Sequence, residues 1–294
     1  MLFHLSSLLA MSCSSSPSDS SVRDQIDGVE LSWYGVTSLR IRFEDHVWLL
    51  DPFFSRPNGE ALKPNQTGLE LMKTLVGPKV DRVFVGHAHY DHILDAQQAS
   101  EHYSAPVYGS STSCLIVDSE SCVSVEHGWT EHLDGVDITA IRTPHWRPSL
   151  SGIGTYETLD EPSEDFLSAP NGGVLSFHMS FPNGFSLLFQ DSIGELDVED
   201  GSGENYFANL ETLKDKETEL WVTCGDCLDT QNDFKAYLEV ISPAQAIAVH
   251  WDGLMPDLTT AAAIPSLPAW KQALDDHQIH EIKFEQYSAP MIFR

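Results

Sequence analysis

The chain has 294 residues, of which 41% are hydrophobic and 20% charged, so it can bury a sizeable core and is not a disordered chain. Its formal net charge is −28, from 44 acidic and 16 basic residues. Because a surface this acidic repels phosphate backbones, nucleic acid is disfavoured as a partner. The composition does not fix an oligomeric state.

The first residues have the order of a short export signal. A mostly apolar run at 2–11 is followed by Ser12, Cys13 and a Ser-rich tract, although no Lys or Arg precedes it. This order is typical of a bacterial lipoprotein leader in which Cys13 carries the lipid anchor. We therefore expect a leader and linker at residues 1–27, a single domain at 28–294, and export to the periplasm or cell surface. If the segment is not a signal, the protein would be cytoplasmic. Membrane contact is expected only through Cys13.

Beyond the leader, apolar runs of strand length alternate with helix-like segments. Strand patterns lie at 29–43, 46–51, 80–86, 105–110, 122–126, 135–144, 173–181, 185–191, 219–225, 244–253 and 279–287. Helix patterns lie at 69–76, 91–103, 111–117, 206–216, 232–241 and 267–277. Each half of the chain begins with strands and continues with strand–helix alternation, which indicates two similar layers around one core.

One segment, residues 147–172, has turn residues throughout and no periodicity. A loop of this length inside a domain is usually functional or disordered. Three aromatic residues, Tyr90, Trp146 and Trp251, lie close in sequence to the candidate site residues described below. They either form an apolar wall or lid over a site or belong to the core.

Four cysteines follow Cys13 and form two close pairs, Cys114 with Cys122 and Cys224 with Cys227. An even number in an exported chain permits two disulfides, and four reduced thiols are the alternative. For the CGDC segment at 224–227, a redox pair or part of a zinc site is a third interpretation. It is weakened because no second CxxC and no suitable His pair follow.

The stretch "VDRVFVGHAHYDHILDA", residues 80–96, gathers three imidazoles and a carboxylate between a buried strand and a helix-like segment. His87 and His89 are two apart, so in an extended segment they point the same way and can bind one ion. Asp91 and His92 open the next helix and can reach a second ion. Imidazole nitrogen and carboxylate oxygen are typical zinc ligands. A solvated His-rich turn is the alternative, and the strand–turn–helix context disfavours it.

Further ligand-type residues follow the apolar runs of three other predicted strands. They are His145, Asp191 and His250. With His87 they place metal-binding side chains at four strand ends, which indicates a ligand cluster at one edge of a sheet. Gln190 stands beside Asp191, but a carboxylate is the better choice because it can bridge two cations.

In these features the chain resembles the metallo-β-lactamase-fold hydrolases, over about residues 29–290. The segments "LLDPFF", "GHAHYDHILDA", "TPHW" and "AVHWDG" are similar to one branch of that superfamily. It includes ascorbate-phosphate lactonase-like and N-acyl-phosphatidylethanolamine phospholipase D-like proteins. The resemblance implies an α/β fold, a four-layer αββα sandwich with the metals at one edge.

The resemblance also implies two divalent metal ions, for which zinc is favoured and Mn²⁺ or Fe²⁺ would fit. It assigns His87, His89 and His145 to the first ion, Asp91, His92 and His250 to the second, and Asp191 to both. Asp51, just after a predicted strand, would accept a hydrogen bond from a ligating imidazole and orient it.

Two adjacent divalent ions would lower the pKa of a bridging water, so that hydroxide forms near neutral pH, and would polarise a carbonyl or phosphoryl oxygen. Asp91 is the expected catalytic residue, because it can orient the hydroxide and take up its proton. The expected function is a dinuclear hydrolase that cleaves an ester, lactone or phosphodiester of a small molecule or lipid. A non-catalytic, lipid-anchored metal-binding protein and an iron-dependent oxidoreductase on the same fold are the alternatives.

Overall fold

The computed structural model describes residues 26–56, 62–146, 155–167, 169–228, 231–253, 258 and 267–294. Within them the chain forms fourteen strands and seven helices. The expected leader up to residue 25, with Cys13, lies outside the described residues, so export and lipid anchoring stay predictions. The same holds for 147–154 of the predicted loop. The described helices include none that is long and apolar enough to cross a membrane.

The strands form two mixed sheets of seven strands each. The first contains, in spatial order, β14 (Pro290–Phe293), β1 (Ile26–Trp33), β2 (Leu39–Glu44), β3 (His46–Leu50), β4 (Arg82–Phe84), β5 (Val107–Gly109) and β6 (Cys122–Ser124). The second contains β7 (Thr130–Leu133), β8 (Val136–Thr143), β9 (Val174–Ser180), β10 (Ser186–Gln190), β11 (Leu220–Cys224), β12 (Gln245–Val249) and β13 (His280–Ile282). In both orders the first four strands pair antiparallel and the last four pair parallel. The similar halves expected from the sequence therefore share one strand topology.

Seven helices flank the sheets. They are α1 (Gln66–Val76), α2 (Tyr90–Ile93), α3 (Ala96–Tyr103), α4 (Ser111–Val117), α5 (Tyr206–Glu211), α6 (Gln231–Ile241) and α7 (Pro268–His277). Helix α1 shows why the boundaries fall where they do. It begins after Asn65, whose side chain accepts a hydrogen bond from the Gly68 amide. It ends at Gly77, where φ is 98° and a side chain would be strained.

The second sheet lies between two apolar layers, and successive residues of its strands face one layer and then the other. In β10, Leu187 and Phe189 pack in the core between the sheets, whereas Leu188 faces the layer that includes residues of α5, α6 and α7. In β11, Val222 points inward and Trp221 outward, as the two-residue period of a strand requires. The result is the αββα sandwich that the resemblance implies.

Two expected elements differ from the structure. The helix predicted at 91–103 is broken into α2 and α3, because Asp95 accepts hydrogen bonds from the amides of Phe54 and Ser55 and from the Ser55 hydroxyl. These bonds hold the break against the segment that follows Asp51. The last strand predicted at 279–287 is shorter, β13, and a further strand, β14, closes the first sheet against β1. The described parts of the 147–172 loop, 155–167 and 169–172, contain no helix or strand.

Both cysteine pairs form disulfides. Cys114 pairs with Cys122, joining α4 to β6, and Cys224 pairs with Cys227 at the end of β11. Of the interpretations left open by the sequence, four reduced thiols is therefore not the state seen here.

The sheets bring five strand ends to one edge of the sandwich. Strands β3 and β4 are parallel, and β8, β10 and β12 share one direction in the second sheet. Their carboxyl ends are followed by Asp51, the 85–92 turn, His145, Asp191 and His250. The candidate ligands thus meet because strand direction dictates it.

A buried histidine outside this edge gives a stability prediction. His178 in β9 is 1% exposed and its Nε2 donates to the carbonyl of Glu217, 3.0 Å away. Burial lowers the pKa of His178 to about 4. The unfolded chain takes up a proton near pH 6.5 and the folded chain does not until about pH 4. The contribution of neutral His178 to the free energy of unfolding is therefore fully present above pH 6.5 and is lost as the pH falls toward 4.

Glutamine at position 178 keeps a donor for Glu217 but takes up no proton. Between pH 7.5 and 4.5 we therefore expect the free energy of unfolding of His178→Gln to fall by about 2–3 kcal/mol less than that of wild type. Urea unfolding of wild type and variant at both pH values measures this difference. His132→Gln is the matched control, because the His132 side chain is 66% exposed. An equal pH dependence for wild type and His178→Gln would contradict the prediction.

Candidate metal centre

Three imidazoles converge in the first ligand group. His87 Nε2 lies 3.0 Å from His89 Nδ1 and 3.2 Å from His145 Nε2. His87 and His89 come from the turn after β4, and His145 comes from the end of β8 in the other sheet. The group therefore joins the two sheets, and the assignment of these three residues to the first ion stays a prediction.

A second group lies beside the first. Asp91 Oδ2 is 3.2 Å from His250 Nε2 and 3.5 Å from His92 Nε2. The ring centroids of His87 and His92 are only 4.0 Å apart, so the two groups are neighbours. The structure thus brings together all six residues that were each assigned to a single ion, three to the first ion and three to the second.

Asp191 and Asp51 lie behind the rings. Asp191 Oδ2 is 2.6 Å from His87 Nδ1 and 3.3 Å from His92 Nδ1, so it contacts one histidine of each group. Asp51 Oδ2 is 2.9 Å from His92 Nδ1, as expected of a residue that orients this imidazole. Asp191 contacts the ring nitrogens that face away from the other ligands, and in this arrangement it orients His87. Bridging of two ions by Asp191 stays a prediction.

The contacts at Nδ1 define how the rings present their other nitrogen. Nδ1 of His87 faces Asp191, Nδ1 of His92 faces Asp51, and Nδ1 of His145 contacts the carbonyl of Trp146. When Nδ1 is the donor in each contact, the lone pair of Nε2 points into the group. This is the orientation that metal binding needs.

Burial sets the protonation of the cluster. Burial lowers the pKa of His89 to about 4 and holds the pKa values of His87 and His145 well below the usual range. Burial alone would raise the pKa of Asp91, but His92 and His250 outweigh it and the pKa is lowered. The imidazoles of the first group are therefore neutral at pH 7, which is the form that binds metal.

The donor set fits divalent ions. Two imidazole nitrogens can share one proton in a hydrogen bond, but three converging nitrogens cannot all be satisfied by it. One cation can accept the lone pairs of all three. Asp191 Oδ1 is buried and has no hydrogen-bond partner among the described residues, which is costly unless a positive charge compensates it. Nitrogen and carboxylate ligands of this number suit zinc.

Several supporting residues were not predicted. The Thr37 hydroxyl donates to Asp51 Oδ2 and lies 2.8 Å from His92 Nδ1. The Gly86 amide donates to Asp51 Oδ1, and a Cβ on Gly86 would stand 2.1 Å from Asp191 Oδ2. Only glycine therefore leaves room for the Asp191 carboxylate. Thr37 belongs to no segment that the sequence singled out, whereas Gly86 opens the GHAHYDHILDA segment but carries no ligand atom of its own.

The His250 loop is held by residues distant in sequence. The His250 amide donates to the carbonyl of Val36, and the Val36 amide donates to Asp252 Oδ1. Asp252 Oδ2 also accepts from the Tyr287 hydroxyl. Asp252 is thus tied into the structure and is not a freely exposed turn carboxylate.

The two groups open into a cavity of about 590 Å³, a size typical of sites for small molecules. Tyr90 and Trp146 line it, as one interpretation of the sequence expected, together with Phe166 and Leu167 from the 147–172 loop. Trp251 instead packs against Trp33, with ring centroids 5.2 Å apart. The loop therefore supplies apolar residues to the wall of the cavity into which the ligand groups open.

Comparison with known proteins agrees with this architecture. A model of the metallo-β-lactamase superfamily matches residues 31–115. The structure of Igni18, a metallo hydrolase from Ignicoccus hospitalis, superposes with a TM-score of 0.57 at 14% identity, covering 90% of this chain and 99% of that one. An isothiocyanate hydrolase from Delia radicum gut bacteria gives 0.56 at 16% identity, covering 90% and 99%. The chain has the metallo-β-lactamase fold.

This confirms the resemblance at the level of the fold, while the branch named from the sequence stays a prediction. A UPF0173 metal-dependent hydrolase of Agrobacterium fabrum is 23% identical over 161 residues, which are 54% of this chain and 65% of that protein. The matched segments span 38–65% of the lengths of four such curated relatives. All four relatives are named metal-dependent hydrolases.

Thr37 provides a test of how the metal centre is held. Thr37→Val removes the hydroxyl that donates to Asp51 beside His92, and we expect Zn²⁺ affinity to fall about 10- to 100-fold. Titration calorimetry of the metal-free protein with Zn²⁺ measures the change. Thr218→Val is the matched control, because the buried Thr218 hydroxyl has no hydrogen-bond partner among the described residues. Equal affinities for Thr37→Val and wild type would show that this contact does not orient His92.

Proposed function

We propose that the protein is a hydrolase that holds two divalent ions, with zinc favoured, and cleaves an uncharged carboxylic ester or lactone. The observation that carries the proposal is the pair of adjacent ligand groups in the wall of one cavity. The names of the relatives agree with the hydrolase part of it. The cavity also argues against a purely structural metal site, which would be closed.

Bound ions would supply a water of lowered pKa and polarise the carbonyl oxygen of the substrate. The residues of the chain do the positioning. Asp91 lines the cavity with its carboxylate 3.2 Å from His250 Nε2. From this position it would take up the proton of the attacking water at that carboxylate and return it to the leaving oxygen.

The wall of the cavity selects the substrate class. Phe166, Leu167, Ala169 and Pro170 form an apolar surface, and none of the described residues that line the cavity is Lys or Arg. A phosphodiester carries a charge that enzymes commonly bind with such cations. Glu157 in the wall and the net charge of −28 oppose an anion further. An uncharged ester with an apolar acyl group fits this wall better than a phosphodiester.

A substrate panel tests both parts of the proposal. We expect p-nitrophenyl esters with acyl chains of two to eight carbons to be hydrolysed with kcat/KM at least about 100-fold above that for bis(p-nitrophenyl) phosphate, since the apolar wall and Glu157 favour an uncharged substrate. Mass spectrometry of the purified protein should find close to two metals per chain.

His87→Ala is the control for the metal centre and should lose both metal and ester hydrolysis. Equal rates for this variant and wild type would support the non-catalytic alternative. Faster cleavage of the phosphodiester would overturn the substrate class and leave the hydrolase proposal standing.

The apolar wall makes a separate prediction. Phe166→Ala should lower kcat/KM about tenfold for an eight-carbon acyl ester and leave the acetyl ester nearly unchanged, because only a long acyl chain reaches the wall. Phe207→Ala is the matched control, since Phe207 is 46% exposed and does not line the cavity. An equal loss for both esters would mean that Phe166 supports the fold and does not contact the acyl chain.

A further inference from the structure

The disulfide of the CGDC segment borders the metal cavity. Cys227 lines the cavity together with Ser192 and His250. Cys227 is 9% exposed and Cys224 only 1% exposed. Of the two sulfur-bearing residues, Cys227 is thus the one that meets the cavity.

The turn that carries this disulfide is attached to the strand that delivers His250. Cys224 at the end of β11 pairs in register with Val249, the residue before His250. The Gly225 amide donates to the carbonyl of Val249. A Cβ on Gly225 would stand 2.4 Å from the Cβ of Ala248, so the turn lies directly against β12. Cys227 is therefore held in the cavity wall by the same strand as the metal ligand.

The second disulfide offers a comparison within the chain. Cys114 and Cys122 are both half-buried, and neither lines the metal cavity. They join α4 to β6 of the first sheet, whereas Cys224 ends β11 of the second sheet and Cys227 lies in the turn after it. One disulfide thus meets the cavity and the other meets bulk solvent.

We propose that the Cys224–Cys227 disulfide is a thiol-exchange site that small thiols reach through the metal cavity. A thiolate that enters the cavity attacks Cys227 Sγ, the S–S bond breaks, and Cys224 leaves as a thiolate that takes up a proton. A second thiol of the same dithiol then attacks the mixed disulfide and releases Cys227. The protein disulfide gains two electrons and the dithiol is oxidised to its own disulfide. The exchange is independent of the proposed hydrolysis.

Mapping of the mixed disulfide tests the route. The full chain is treated with cysteamine, quenched in acid, unfolded, alkylated with iodoacetamide, and analysed by peptide mass spectrometry. We expect cysteamine on Cys227 and the alkyl group on Cys224. Cysteamine on Cys224, or reaction at Cys114–Cys122 with none at Cys224–Cys227, would overturn the proposal.

Single serine variants give a second test that does not depend on trapping. Cys224→Ser leaves a Cys227 thiol and Cys227→Ser leaves a Cys224 thiol. We expect methyl methanethiosulfonate to modify Cys227 at least about tenfold faster than Cys224, because access controls thiol reactivity. Circular dichroism verifies that both variants are folded.

A large reagent distinguishes the cavity from an open surface. A maleimide on a 5 kDa polyethylene glycol chain should label Cys122 in Cys114→Ser faster than Cys227 in Cys224→Ser, because the polymer cannot enter a cavity of about 590 Å³. Labelling of Cys227 as fast as Cys122 by this polymer would show that Cys227 is reached from bulk solvent, and the proposal would fail.

Discussion

The burial of many titratable side chains at one edge of the sandwich is the constraint that shapes the candidate metal centre. Five imidazoles and the carboxylates of Asp51, Asp91 and Asp191 are gathered at one edge of the sandwich. Burial disfavours the charged form of each group. The imidazoles of the first group are therefore neutral, and the Asp91 carboxylate pairs with His250. What remains uncompensated is lone-pair density and one buried carboxylate oxygen. Cations are the complement that such a site requires.

The fold keeps this arrangement in place by accepting local strain. Asp51 has φ 44° and His250 φ 64°, conformations that cost free energy for residues with side chains. Val36, a β-branched residue at φ 50°, is more unusual still. Asp51 and His250 directly follow strands β3 and β12, and Val36 lies in the turn between β1 and β2. The backbone turns sharply there so that side chains point across the edge, and hydrogen bonds such as that from the His250 amide to Val36 fix the turns.

The part of the site that could be predicted is the part with a local sequence signal. The HAHYDH turn is contiguous, and the residues His145, Asp191 and His250 stand where apolar runs end, so strand direction alone brings them together. The residues that orient them had no such signal. Thr37 contacts His92 from 55 positions away, and Val36, which holds the His250 loop, bonds to a residue 216 positions away. Contacts of that range depend on the finished fold, and no spacing within a strand or helix encodes them.

The same distinction holds for the secondary structure. Strand runs and capped helices such as α1 follow local rules, whereas the break between α2 and α3 depends on Asp95 reaching Phe54 and Ser55, about 40 residues away. That break has a function in the site. It lets the turn that carries Asp91 and His92 end after one helical turn, so the following helix can pack on the first sheet.

The two ligand groups differ in how firmly the fold holds them. His87 is 1% exposed and its ring is wedged between Asp191, His89 and His145, so the first group is rigid before any ion arrives. The His250 side chain is 25% exposed and is delivered by the loop after β12. The Cys224–Cys227 turn is hydrogen-bonded to that same strand. The more adjustable half of the centre is therefore the half that the disulfide turn borders. Reduction of the Cys224–Cys227 disulfide would change this half first, because the Gly225 amide is hydrogen-bonded to the strand that delivers His250.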